Sequence, residues 1–122
     1  MAATLAGKVA LVTGATGGIG SQIVRRLASE GALVVIGYNR SRQAADDLAA
    51  SLAGGDHLVA EAAVTDSAGL ARLAGQMERR FSRLDILVNC AGVTRFVPHP
   101  DLDGLDDELI DRILAVNVRG VI

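Results

Sequence analysis

Short apolar runs alternate along the chain with longer stretches of helical period, and glycines or polar clusters fall between them. Such alternation marks βαβ units around a parallel sheet. Residues 8–12 predict the first strand, and after a glycine cluster Ile19, Ile23, Val24 and Leu27 are spaced to share the buried side of a helix that Gly31 is placed to end. A second strand is predicted over 33–37, followed by a helix over 41–52 with Ala44, Ala45, Leu48 and Leu52 turned inward, then Gly54 and Gly55 as punctuation. The third strand, 58–64, carries Glu61 in its middle, which places it nearer a sheet edge than its purely apolar neighbours. Asp66 or Ser67 is suited to cap the next helix, whose stripe of Leu70, Leu73, Met77 and Phe81 reads as ordinary core. The fourth strand, 85–89, runs into a small-residue turn and a polar loop with Pro98 and Pro100; a last helix starts near Asp106 and is expected to bury Leu109, Ile110 and Ile113.

The pattern gives an α/β fold, a Rossmann-type doubly wound parallel sheet represented by about four βα units, with no repeat or linker. Half of the 122 residues are hydrophobic and only 2% are aromatic, which suits one domain of layered helices and buried aliphatic strands. The formal charge of -2 offers no basic footprint for nucleic acid. Cys90 is the single cysteine, so nothing calls for an oxidising compartment. No apolar run approaches the ~18 residues that cross a membrane, and the start lacks the features of a secretion signal. A cytoplasmic protein is expected. The chain stops at Ile122, inside or just after the last helix, so the sheet is expected to be truncated, with its fourth strand left as an edge.

Candidate chemistry begins at TGATGGIG, residues 13–20. A strand, a glycine loop and a helix bring unpaired backbone N–H groups and the positive end of a helix dipole to a point that a pyrophosphate can approach. Thr13 and Thr16 offer hydroxyls there. A P-loop is the rival phosphate binder, disfavoured because Ser21 and Gln22 stand where its lysine and hydroxyl residue belong. Two glycine spacings fit at once: Gly14, Gly18 and Gly20 make TGxxxGxG, while Gly14, Gly17 and Gly20 make TGxxGxxG. Further on, RLDILVNCAGV and DRILAVNVRG add a small-residue turn and an asparagine within a helix of apolar neighbours. His57 and His99 stand alone with no metal-ligand spacing, so no metal site is expected and both read as surface loop residues.

From GKVALVTG through VNCAGV to LAVNVRG the chain resembles the short-chain dehydrogenase/reductases. Asn89, Cys90, Ala91 and Gly92 match three of the four positions of the Asn-Asn-Ala-Gly turn found in classical members, which carry TGxxxGxG, and this decides between the spacings. By resemblance, Gly14 makes the tight turn, Gly18 admits the pyrophosphate, Gly20 lets the helix pack on the sheet, and Ile19 touches the cofactor through its backbone; Thr16 joins the cofactor-binding set through its hydroxyl. Gly17 becomes the spare, at a position where many NADP-using relatives carry a basic residue. The resemblance further implies that Asn89, Ala91 and Gly92 border the cofactor's ribose, that Val64 meets the adenine through its backbone, and that Asn117 is the asparagine of the Asn-Ser-Tyr-Lys tetrad, where it helps to hold a water. A purely structural polar contact is the other reading of Asn117, because a buried amide must find partners. Ala63 stands where relatives hold the adenine amino group with aspartate.

Cofactor choice is expected at the end of the second strand, where a carboxylate accepts from a ribose 2′-OH and repels a 2′-phosphate. The segment reads GYNRSR, without an acid, and Asn39, Arg40 and Ser41 supply donors and charge suited to NADP, with NAD the lesser possibility. The family's serine and Tyr-xxx-Lys do not occur in the chain, so the resemblance implies residues 1–122 are the NAD(P)-binding part of an oxidoreductase, inactive alone, that moves hydride to or from a carbonyl or alcohol substrate. 3-Oxoacyl-carrier-protein reductases are one such group, and a homo-dimer or tetramer is the expected state of a full-length enzyme. The alternative is a non-catalytic nucleotide-binding or interaction module using its open sheet edge.

Overall fold

The computed structural model describes residues 3–122. Four parallel strands, β1 (Val9–Thr13), β2 (Leu33–Tyr38), β3 (Leu58–Glu61) and β4 (Ile86–Asn89), form one sheet in the order β3-β2-β1-β4. They alternate with helices α1 (Gly18–Ser29), α2 (Arg42–Ser51), α3 (Ser67–Phe81) and α4 (Asp107–Asn117), and a 3-10 turn over Arg119–Val121 follows. This is the expected doubly wound architecture in part, with β3 and β4 as its two edges.

Side-chain alternation along the strands divides the core in two. Val34, Ile36 and Tyr38 of β2 join Val12 of β1, Val24 of α1 and Ala45 and Leu48 of α2 on one face. Val35 points the other way and packs with Val9, Leu58, Leu73 and Met77 under α3. The lower end of β4 is pinned to β1 by Asp85, whose backbone N–H donates to the Val9 carbonyl at 2.9 Å while its Oδ2 accepts from the Val9 N–H at 2.8 Å.

Helix starts follow local chemistry. The Ser41 hydroxyl accepts from the Ala44 N–H, and Asp66 and Asp106 accept from the Gly69 and Leu109 N–H groups, so α2, α3 and α4 each begin behind an N-cap. Asp66, rather than Ser67, is the cap of α3. Gly31, at φ +95, lies just beyond α1, where a left-handed residue lets the chain turn into β2.

Several expectations need correction. Strand β3 ends at Glu61 rather than at 64: after the Ala62 N–H donates to the Tyr38 carbonyl at 2.7 Å the chain turns away, and Val64 lies in that turn. Ile19 is 74% exposed, because it sits in the first turn of α1, above the sheet rather than over it. Ala44 is exposed, while Ala45 and Leu48 form the buried stripe of α2. On α4 only Leu109 is buried, Ile110 being exposed and Ile113 half-buried, since α4 makes extensive contact only with the 3-10 turn that follows it. His57 is not a surface residue: it is half-buried, and its Nδ1 accepts from the Val34 N–H at 3.1 Å, tying the α2–β3 loop to β2.

Candidate dinucleotide site

The C-terminal ends of four parallel strands lie along one edge of the sheet, so loops far apart in sequence converge there. They surround an open cleft of about 950 Å³. Its floor is the β1–α1 turn (Gly14, Thr16, Gly17) and the turn after β4 (Cys90, Ala91, Gly92); one wall carries Asn39, Arg40 and Ser41 with Val64, and α4 supplies the other.

Gly14 adopts φ +60, and a Cβ there would lie 2.8 Å from the backbone N and Cα of Ala91. The two floor turns thus touch through a glycine that has neither room nor backbone angles for a side chain. Gly20 is equally constrained, since a Cβ would run into the Gly14 carbonyl oxygen and stand 3.0 Å from the Ala15 Cα. Around Gly18, by contrast, nothing lies within 4 Å of a built Cβ. Gly17, passed over as the spare, is the N-cap residue of α1 and lines the cleft. No side chain caps this helix, which leaves its first N–H groups available to an anion. An uncapped start among capped helices marks this position, and the sequence carried that signal as a glycine where the other helices have serine or aspartate.

Thr13 does not serve the cleft. It is 4% exposed, and its Oγ1 accepts from the backbone N–H groups of Cys90 and Ala91, both at 3.2 Å. This hydroxyl joins the end of β1 to the turn after β4, with Gly14 next to it. Asn89 pairs with Thr13 across the strands and lines a second groove of about 520 Å³ on the α3 side, not the cleft.

Asn117 stands at the end of α4 outside the cleft, with both ends of its amide engaged: Nδ2 donates to the Val93 carbonyl and Oδ1 accepts from the Val93 N–H, each at 2.8 Å. It clamps α4 to the segment leaving β4. The residue is exposed rather than buried, so these bonds are not forced by burial of the amide. Cys90 is a free thiol, half-buried beside the β1–α2 core, in a place that needs no side-chain hydrogen bond because Thr13 already holds its backbone.

Arg40 lines the cleft, whereas Arg42 is turned along α2, with Nε 3.6 Å from Asp46 Oδ2. At the opposite wall the Arg95 guanidinium donates to the Gly104 carbonyl at 2.7 Å and approaches Asp106 Oδ2 at 3.4 Å. The Leu109 N–H and, after it, Arg95 hold the Asp106 carboxyl below the usual carboxylate range. Thus the cleft gathers Gly14, Thr16, Asn39, Arg40, Ser41, Val64, Ala91 and Gly92. Gly18 and Ile19 belong to the first turn of α1 beside it, while Gly20, Asn89 and Asn117 support it from behind. Among the described residues no group of three or more His, Cys, Asp or Glu is arranged to hold a metal, and no helix is long and apolar enough to cross a membrane.

A glycine turn at β1, an uncapped α1 and a cleft over the strand ends define a Rossmann-like protein. The sequence profile of the short chain dehydrogenase family matches residues 8–122, and the chain belongs to that family. It is 43% identical over 112 residues to the granaticin polyketide synthase putative ketoacyl reductase 2 of Streptomyces violaceoruber, covering 92% of this chain and 44% of that protein. A short chain dehydrogenase from Burkholderia cenocepacia in complex with NADP superposes with a TM-score of 0.87 at 39% identity, covering 97% of this chain and 48% of that one. A 3-ketoacyl-(acyl-carrier-protein) reductase from Brucella melitensis complexed with NADH gives 0.85 at 38% identity, with 96% and 47% covered. The chain spans just under half the length of these relatives.

Proposed function

We propose that residues 1–122 are the cofactor-binding part of a classical short-chain oxidoreductase that moves hydride between a nicotinamide dinucleotide and a small-molecule carbonyl or alcohol. The observation that carries the reading is the uncapped N-terminus of α1 beside the two backbone turns flooring the cleft. A pyrophosphate fits there: the helix offers N–H groups and a favourable dipole, and the surroundings of Gly18 are open. Ala91 and Gly92 leave room for a ribose, and Val64 offers its backbone to the adenine. When bound, the nicotinamide supplies the hydride chemistry. The chain's own residues bind and orient it.

NADP is the preferred cofactor in this reading. Asn39 and Arg40 offer donors and positive charge with no carboxylate among them, and Ser41, whose oxygen caps α2, still has its proton to give. Asn117 acts as a positioning residue that fixes Val93 and thereby the cleft's rear edge. With no Tyr-xxx-Lys in the sequence, the chain alone has no group to pass the substrate its proton and is expected to show no reductase turnover. The cytoplasm and a homo-oligomeric whole enzyme complete the proposal.

Titration of NADPH and NADH against the purified chain, read by nicotinamide fluorescence, tests it. NADPH is expected to bind more tightly, and Arg40→Asp to turn the preference toward NADH. Failure of both cofactors to bind at millimolar concentration would overturn the reading.

A further inference from the structure

Three guanidinium groups line the cleft, from Arg40, Arg95 and Arg112. Arg95 is committed to the Gly104 carbonyl and Asp106. Neither Arg40 nor Arg112 forms a hydrogen bond or an ion pair among the described residues. For Arg112 this is the more telling, because Glu108 stands four residues before it on α4, the favourable order for a helical pair, and the two do not pair. Arg40 reaches the cleft from the β2–α2 turn and Arg112 from α4, so two unpaired cations enter one cavity from different elements. Asp106 and Glu108 line the same cleft, and three arginines against these two carboxylates leave its lining net positive, which suits an anionic guest.

We propose that Arg112 is a specificity-determining residue, the second cation of a 2′-phosphate site that it shares with Arg40. The inference rests on the NADP reading above and extends it to a residue on a different element. A dianionic phosphate between two guanidinium groups accepts charge-assisted hydrogen bonds from both, whereas a ribose hydroxyl gains little from the second. Such a site offsets the carboxylate that Ala63 lacks by moving the grip from the base to the phosphate.

The test uses the 122-residue chain with NADPH and NADH as probes and three variants, Arg112→Gln, Arg112→Lys and Arg40→Gln, each checked for helix content. Arg112→Gln is expected to weaken NADPH about tenfold while changing NADH by less than about twofold, the loss of one charge-assisted contact. Arg112→Lys should recover part of the loss, and the salt dependence of NADPH binding should be shallower in Arg112→Gln than in the parent chain. Equal weakening of both cofactors would mean stacking on the adenine and overturn the proposal, as would no change in either. If Arg40→Gln lowers NADPH affinity and Arg112→Gln does not, this inference fails and the NADP reading stands. If the parent chain binds neither cofactor, both fall. Should Arg112→Gln lose helix, Arg112→Lys keeps the test: unaltered NADPH binding with 2′,5′-ADP no better a competitor than 5′-AMP overturns the assignment.

Discussion

Replacing Gly14 and Gly18 by alanine, one at a time, separates a glycine required by the fold from one required by a ligand. At Gly14 the backbone is left-handed, φ +60, which costs an alanine about 1–2 kcal/mol. The added Cβ also meets Ala91 N and Cα at 2.8 Å and the Cys90 carbonyl carbon at 3.0 Å. These are backbone atoms held by the Thr13 hydroxyl, so the turn must shift bodily, and overpacking of this kind costs about 1–3 kcal/mol more. The sum, about 2–5 kcal/mol, is a large part of the ~5–15 kcal/mol that stabilises a domain. At about 3–6 °C per kcal/mol for this size, Gly14→Ala should lower the unfolding midpoint by on the order of 10 °C.

Gly18→Ala meets nothing within 4 Å, and alanine is the better helix former by up to about 1 kcal/mol, so its midpoint should match or exceed that of the parent chain. If a pyrophosphate packs against α1 there, the methyl group displaces it. Loss of one charge-assisted hydrogen bond, about 1.5–3 kcal/mol, would then weaken NADPH roughly 10- to 150-fold. The assay is a thermal melt paired with a NADPH titration of each variant at 15 °C. Gly14→Ala unfolding at the parent temperature would refute the packing argument. Gly18→Ala binding NADPH as the parent does would refute the placement of the pyrophosphate.

Asn117→Ala removes two hydrogen bonds that water can partly replace; a cost of about 1–2 kcal/mol is expected, with faster amide exchange at Val93, and unchanged exchange there would contradict the clamp. Thr13→Val keeps the shape but leaves two backbone N–H groups without their acceptor, for an expected loss of about 1–3 kcal/mol in urea unfolding, and a neutral outcome would mean the β1–β4 junction is held otherwise. The Asp85 carboxyl is held below its usual range by the Arg83 guanidinium and then by the Val9 N–H. Because the folded pKa is the lower one, its stabilisation is complete above the unfolded carboxylate value of about 4 and disappears as pH falls through the folded value. Asp85→Asn should therefore be less stable than the parent at pH 7 and lose less as pH drops below about 4; equal acid sensitivity in the two proteins would refute the assignment.

The sheet was legible because its strands are short apolar runs separated by helices of clear period, and Glu61 even marked β3 as an edge. Helix starts were legible where the cap is a side chain, as at Ser41, Asp66 and Asp106. What did not carry over was burial on α4. The spacing of Leu109, Ile110 and Ile113 identifies an apolar face, but whether that face is covered depends on a partner element, and α4 stands over the cleft with little of the sheet beneath it. The end of β3 was similarly hidden, because Ala62, Ala63 and Val64 suit a strand or a tight turn alike, and the decision is made by where the β2 ladder stops. Side-chain roles were the least legible. Thr13 and Thr16 look equivalent in TGATGG, yet strand alternation turns the Thr13 hydroxyl toward β4 and leaves Thr16 in the cleft.

The glycine loop and the turn after β4 are one structural unit although 76 residues separate Asp85 from its partner Val9 and 77 separate Cys90 from Thr13. Placing β4 beside β1 brings Ala91 against Gly14, and the Thr13 hydroxyl then serves both turns at once. A side chain at residue 14 would move the fourth-strand turn, and a bulkier turn would press on the glycine loop. Neither can change alone. The contact between the two turns therefore sets the loop's conformation as much as the loop's own sequence does. It also explains the division among its four glycines, with Gly14 and Gly20 fixed by contacts inside the fold, and Gly17 and Gly18 free of any such close contact.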